Sequence, residues 1–330
     1  MSDGIAASAP LQRLVGLRIP ERFFVLASRL AGLALLCLLL TFSSPHFLTW
    51  QNLINVARQA SVQFLLSAGL TLCVLAGGID LSVGAVLGLS ACLGAALIAS
   101  GQTAAGIAAA LGVGALSGLA NGLVVAYVKL PPFIATYGML WIAHGLAYVF
   151  MKGEVIHGFP PAFRFVGAGY LGPIPAPIVV MLVVLGLLHL MLHRTPLGRA
   201  IYAIGGNPTA ARLSGVPVQR RLVAVYALSG LLAAVAGLVV IARINAADSG
   251  TGEDLLLSSI AAVCLGGTSL FGGYGGVAGT AIGSLLLALV VNGMNLLSVQ
   301  TFWQAFVIGA MMILSVLADQ LARGPAGRPV

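Results

Sequence analysis

The chain has 330 residues, of which 59% are apolar and only 7% charged, with a mean hydropathy of +1.06. Soluble domains do not reach such values, and spans of about 20 residues leave room for ~ten helices and no sizeable soluble domain. The net charge of +8 therefore reads as membrane topology and contact with anionic lipid, not as nucleic-acid binding.

Residues 1–21 form a polar tail with Arg13 and Arg18. The apolar run 23–42 ends in Ser43, Ser44 and Pro45 without a small-residue cleavage pattern, so a retained first span is expected and no signal peptide. Further spans are predicted at 58–77, 81–100, 104–128, 133–151, 176–193, 222–242, 255–271, 276–297 and 301–318, before a tail at 319–330. The expected class is an all-α integral membrane protein whose transmembrane domain covers 22–318. Cys37, Cys73, Cys92 and Cys264 fall inside these runs without metal-ligand spacing, which predicts small core residues and no disulfide or metal site.

Two junctions leave almost no loop. Gly77, Gly78, Ile79, Asp80, Leu81, Ser82, Val83 and Gly84 separate the second and third spans, and Gly266, Gly267, Thr268, Ser269, Leu270, Phe271, Gly272 and Gly273 interrupt the chain between the eighth and ninth. Irregular backbone at membrane depth persists only when buried in protein or lining a wet cavity, and broken helices mark transport pathways. Asp80 stands out because, Asp3 in the N-terminal tail apart, the other acids lie near span ends or in outer segments. It either serves a function inside the membrane or caps the third helix from the cytoplasmic surface. In both readings it positions the helix break.

The fourth span passes to the fifth through Lys129, Pro131 and Pro132; Pro132 can open a helix but cannot extend one. Tyr137, Trp141 and His144 then share one face of the fifth helix at spacings of four and three. Packing on another helix and contact with a polar solute are both open for this stripe. The same two readings apply to Asn121, Asn292 and Asn295, each set in an apolar span, the first two beside glycine. The outer segment 152–175, rich in proline and aromatics, is a candidate for a short interfacial helix or a docking surface.

Residues 194–221 form the one long basic loop, with Arg194, Arg199, Arg212, Arg220 and Arg221 and no acid. Its centre reads as a short helix between two breakers. Asn207 can cap it, Pro208 suits its first turn, Gly215 can take the left-handed conformation that ends it, and Pro217 prevents resumption. An ordered linker and a docking element both fit this grammar. An N-terminus inside the cell places these arginines, Arg13, Arg18, Arg22, Lys129, Arg323 and Arg328 on the cytoplasmic side. Arg58, Lys152, Arg164 and Arg243 are left at outer ends with Glu154, Asp248, Glu253 and Asp254, an asymmetry that predicts both termini cytoplasmic.

The strings AGGIDLSVG, NGLVVAYVKLPPFIATYGM, GRAIYAIGGNPTAARLSGVPV and LGGTSLFGGYGGVAGTAIGSLLLALVVNGMNLL resemble, in order, those of the ribose/xylose/galactose-type permeases of bacterial ABC importers, from about residue 50 to residue 318. Tyr137 replaces the leucine frequent in that family after Thr136. The resemblance implies an inner-membrane, multi-pass permease subunit for a monosaccharide or related small polyol. It also implies pairing with a second copy or a homologous permease, cytoplasmic ATPase subunits, and delivery by an extracytoplasmic binding protein. Gly206, Asn207, Pro208, Ala210, Ala211, Arg212, Leu213, Ser214 and Gly215 would be the coupling segment. Gly77, Gly78, Asp80, Ser82, Asn121, Tyr137, Trp141, Gly266, Gly267, Thr268, Ser269, Asn292 and Asn295 are the candidates for the pathway or its helix breaks.

The sequence supplies no ATPase of its own. A phosphate-binding loop needs Gly-Lys-Ser/Thr, and neither of the two lysines, Lys129 and Lys152, sits in one. ATP and magnesium are therefore expected on a partner subunit, with no cofactor on this chain. No His-Glu-x-x-His string or recognisable Ser/His/Asp set suggests a membrane enzyme. An ion-gradient-driven secondary transporter is the alternative class, since it too would use broken helices and an intramembrane acid.

Overall fold

A computed structural model describes residues 21–323, with side chains from 31 to 317. The tail arginines Arg13, Arg18 and Arg328 lie outside the described residues, and so do the side chains of Arg22, Asp319 and Arg323. Helix α1 is Glu21–Ser43, α2 Trp50–Leu75, α3 Val83–Ala99, α4 Thr103–Leu123, α5 Pro132–Met151 and α6 Pro161–Ala168. Then follow α7 Ala176–Arg194, α8 Pro196–Gly206, α9 Pro208–Leu213, α10 Val218–Ile244, α11 Leu255–Leu265, α12 Val277–Leu296 and α13 Phe302–Arg323. Two antiparallel ladders complete the described residues: Ile156–His157 (β1) pairs with Ala246–Ala247 (β4), and Tyr170–Leu171 (β2) with Ile174–Pro175 (β3).

Among the described residues six helices are long and apolar enough to cross a membrane: α2, α4 with its extension to Val128, α5, α7, α10 and α12. The apolar parts of α1, α3, α11 and α13 are shorter. Helix α2 begins at Trp50 rather than 58, because Thr49 caps it by accepting from the Asn52 N–H and Arg58 is accommodated with its guanidinium 4.8 Å above the Tyr170 ring. The predicted eighth span is helical only for the 11 residues of α11; the glycine-rich remainder is loop. Helix α6 lies within segment 152–175, its Phe163 ring meeting Phe159 edge to face at 5.6 Å.

Helix α2 is the most deeply buried of the long apolar helices and packs against α10, α12, α11, α7 and α8. Polar side chains pin it to its neighbours at intervals. Asn52 and Asn292 exchange amide hydrogen bonds of 3.0 and 2.7 Å, Gln63 donates to Ser259 at 2.9 Å, and the Thr71 and Thr280 hydroxyls meet at 2.7 Å. Such bonds steady helix pairs where apolar burial alone gives lipid no reason to leave.

The α4–α10 pair uses close backbone approach. Gly106, Ala110, Gly114, Gly118 and Gly122 form the buried stripe of α4, one small residue every fourth position. A Cβ on Gly118 would stand 2.2 Å from the Tyr226 carbonyl oxygen, and one on Gly114 2.4 Å from that of Gly230. Helix α4 then loosens into a π-helical turn, Val124–Val128, and ends where Lys129 turns left-handed at φ 61°.

Candidate functional site

The loop 194–221 folds as two consecutive helices. Thr195 caps α8 by accepting from the Gly198 N–H, and Asn207 caps α9 by accepting from the Ala210 N–H at 2.9 Å. The far end of α9 closes as a Schellman motif: Val216 N–H donates to Ala211 O at 3.0 Å, Gly215 N–H to Arg212 O at 3.0 Å, and Gly215 takes φ +83°. Only Ala211 of α9 is buried, against Ile204 and Val218. Gly206, Asn207, Pro208, Ala210, Arg212, Leu213, Ser214 and Gly215 face outward, and Leu213 is 84% exposed. A rigid, capped helix anchored by one alanine and presenting an arginine and a bare leucine has the form of a docking knob.

The helix that leads into the knob, α8, touches both helix breaks at its end. Each break is a helix end of one kind: Gly77 and Gly267 turn left-handed at φ +79° and +68°, while Gly78 N–H reaches back to Cys73 O and Thr268 N–H to Val263 O. The corresponding residues are thus Gly77 and Gly267. Between them stands Gly205, the next-to-last residue of α8. A Cβ there would lie 1.9 Å from Leu75 O and 2.5 Å from Gly273 N, the two atoms that share a 3.0 Å hydrogen bond. The sequence reading singled out Gly206 and passed over Gly205; the Gly-Gly doublet was the available signal.

The first break is clamped from three sides. Asp80 is buried and its Oδ1 accepts from Ser82 N–H at 3.0 Å and Ser82 Oγ at 2.6 Å, while Oδ2 accepts from Ser229 of α10 at 2.9 Å. Asn121 of α4 donates to Ser82 Oγ at 2.9 Å. Thr136 of α5 accepts from Leu81 N–H at 3.1 Å, and the Tyr226 hydroxyl lies 3.4 Å from Ile79 O. Asp80 therefore sits inside the bundle, joined to α4 and α10 through hydroxyls and an amide, with no cation on it among the described residues. Ser229 and Tyr226 carried no sequence signal.

In the second break Thr268 and Ser269 are buried; Thr268 Oγ1 accepts from Gly276 N–H and Ser269 Oγ from Phe271 N–H, both at 3.3 Å. Gly266 packs on the backbone of Gly279. Asn292 belongs to the amide pair with Asn52, and exposed Asn295 accepts from Gln304 at 2.8 Å. These two asparagines thus bridge elements of the chain itself.

Helix α5 has three faces. Thr136, Ala143, Ala147 and Met151 are buried. Ile134, Ile142, Leu146 and Val149 are exposed and wholly apolar, as lipid requires. Phe133, Tyr137, Trp141, His144 and Tyr148 form a continuous ladder, with ring centroids 5.9, 6.3, 6.3 and 5.1 Å apart. Tyr137 is 46% and Trp141 59% exposed, so among the described residues the stripe is not covered by a second helix.

The segment 245–254 meets this ladder. It does not stay beyond the helix ends: Asn245 turns the chain at φ 57°, and the strand folds back along α3, bringing Cys92 Sγ to Asp248 O at 3.2 Å. Gly84 and Gly88 make the room, since a Cβ on either would meet the carbonyl of Gly252 at 2.8 Å or Thr251 at 2.4 Å. Glu253 Oε1 ends against His144 Nε2 and lies 3.4 Å from the Tyr148 hydroxyl.

These elements define a helical membrane permease: apolar helices interrupted at two glycine breaks, with a capped knob that follows the helix end packed against both. Residues 52–316 match the family described as the permease component of the branched-chain amino acid transport system, and the chain belongs to that family. It is 42% identical over 293 residues to a ribose import permease protein of Bacillus subtilis, covering 88% of this chain and 91% of that one. It is also 40% identical to a ribose import permease protein of Escherichia coli K12 over 88% of this chain and 92% of that one. The D-allose transport system permease protein of the same bacterium is 38% identical, over 85% and 87%. No solved structure matches the chain.

Proposed function

We propose that this chain is the membrane-spanning subunit of an ATP-driven importer for a monosaccharide or related small polyol, working by alternating access in a bacterial inner membrane. It crosses the bilayer about ten times with both termini cytoplasmic. Two such subunits, identical or homologous, pair; cytoplasmic ATPase subunits that hold ATP and magnesium grip α9; and an extracytoplasmic binding protein delivers the sugar. The observation that carries this reading is the keyed knob: displacement of α9 is passed by Gly205, backbone against backbone, to both helix breaks at once. The similarity to ribose and allose permeases supports the sugar.

Purification in mild detergent with the products of neighbouring genes tests it, followed by an ATPase assay and uptake of ribose, allose and fructose in proteoliposomes. ATP-dependent uptake is expected; uptake that collapses with an ion gradient and needs no ATPase would overturn the proposal.

Two substitutions test the coupling segment. Arg212→Glu reverses the charge on the exposed face of α9, and Gly215→Val places a β-branched residue in a left-handed conformation, at a cost of about 1–2 kcal/mol. Both are expected to leave insertion intact while abolishing stimulation of the ATPase by sugar-loaded binding protein. Unchanged uptake in both would remove α9 from the mechanism.

A further inference from the structure

The ladder on α5 is in the wrong place to face lipid. Tryptophan and tyrosine at a bilayer surface belong in the interfacial belts. Trp141, however, is the tenth of the 20 residues of α5, and its exposed indole stands near the helix midpoint. Glu253 is a stronger case. Its carboxylate is 45% exposed beside His144, one turn beyond that midpoint, on a segment folded back against Gly84 and Gly88 of α3. An ionisable group in that position carries a desolvation penalty in hydrocarbon and is found facing water-filled cavities or partners. The adjoining face of the same helix is purely aliphatic, so α5 separates a lipid side from a wet side.

We propose that the Phe133–Tyr148 ladder and Glu253 form one wall of the sugar's path, with Trp141, His144, Tyr148 and Glu253 as its polar subsite. The assignment rests on the importer reading. A monosaccharide has a face of C–H groups that suits the flat indole and phenol rings, and an edge of hydroxyl groups that suits a carboxylate acceptor. Glu253 supplies the acceptor at the end of the ladder, and His144 and Tyr148 hold it there. Below it Trp141, Tyr137 and Phe133 offer stacking surface at each turn down to the Pro131–Pro132 bend, a sequence of weak contacts that lets the sugar move on. Tyr137, half exposed, adds a hydroxyl to the inner part of this wall.

The test uses the assembled importer, permease with ATPase and binding protein, in proteoliposomes. Trp141→Leu and Glu253→Gln are each expected to lower sugar flux about tenfold at saturating loaded binding protein, the effect of losing one stacking surface or one charged acceptor. Stimulation of ATP hydrolysis by the binding protein is expected to stay within about twofold of wild type, and Ile142→Leu on the aliphatic face to leave flux unchanged. A second readout does not depend on flux. In a background with the four native cysteines replaced, the thiol of Trp141→Cys is expected to react with a membrane-impermeant methanethiosulfonate and that of Ile142→Cys to resist it. Wild-type flux in both pathway variants, or an unreactive Trp141→Cys thiol in the assembled importer, overturns the wall. Failure of the unmutated assembly to import sugar with ATP overturns the importer reading instead.

Discussion

Asp80→Ala is expected to destabilise the permease by about 3 kcal/mol and to abolish transport, because it removes the single acceptor of three hydrogen bonds in a buried site. The hydroxyls of Ser82 and Ser229 can turn to other acceptors, but the Ser82 N–H cannot, and Asn121 loses the orientation that Ser82 gave it. Of the side chains that clamp the break between α2 and α3, Thr136 and Tyr226 then keep their bonds. Asp80→Asn keeps one carbonyl oxygen for Ser82 while setting an amide donor against the Ser229 hydroxyl, so its effect should be intermediate. Thermal unfolding in detergent, read beside uptake in proteoliposomes, checks both. An Asp80→Ala protein that unfolds at the wild-type temperature and transports at the wild-type rate would show that the carboxylate does not hold the break.

Gly205→Ala is the second large effect, and its neighbour supplies the contrast. The added methyl would be driven into Leu75 O and Gly273 N. Both are main-chain atoms, so no rotamer change relieves the clash, and α8 must move away from the two breaks. Overpacking at such a site costs typically about 1–3 kcal/mol, and here it also splits the Leu75–Gly273 hydrogen bond. Gly206, one residue on, has nothing within 4 Å of the same position. Gly205→Ala is expected to lower the unfolding temperature and to separate ATP hydrolysis from sugar uptake, whereas Gly206→Ala should leave the unfolding temperature unchanged. Equal unfolding temperatures for the two variants would remove the glycine junction from the account.

Much of the fold was legible from local chemistry. Apolar length located a helix near every predicted span, Pro132 opened α5, and Asn207, Pro208, Gly215 and Pro217 delimited α9 to within a residue, since capping is a contest among adjacent backbone groups. Helix α11 was misjudged in extent. Hydropathy counted Gly266–Phe271 as span, while in the structure Gly267 turns left-handed and the residues after it form a loop that bonds to Val263, Tyr274 and Gly276.

What the sequence by itself determined is the membrane setting, the two glycine breaks, the capped knob in the basic loop and, through its four motif strings, the permease family. Each depends on composition or on residues a few positions apart. Only the tertiary structure decided that Gly205 joins both breaks to the knob and that Ser229 reaches Asp80 from 149 positions away. It also decided that segment 245–254 folds inward to set Glu253 against His144. Those contacts depend on how closely two backbones approach, which Gly84, Gly88 and Gly205 permit but do not announce. A glycine's missing side chain is read from sequence as a turn; whether it instead admits another strand of backbone is settled by the packing of helices distant along the chain.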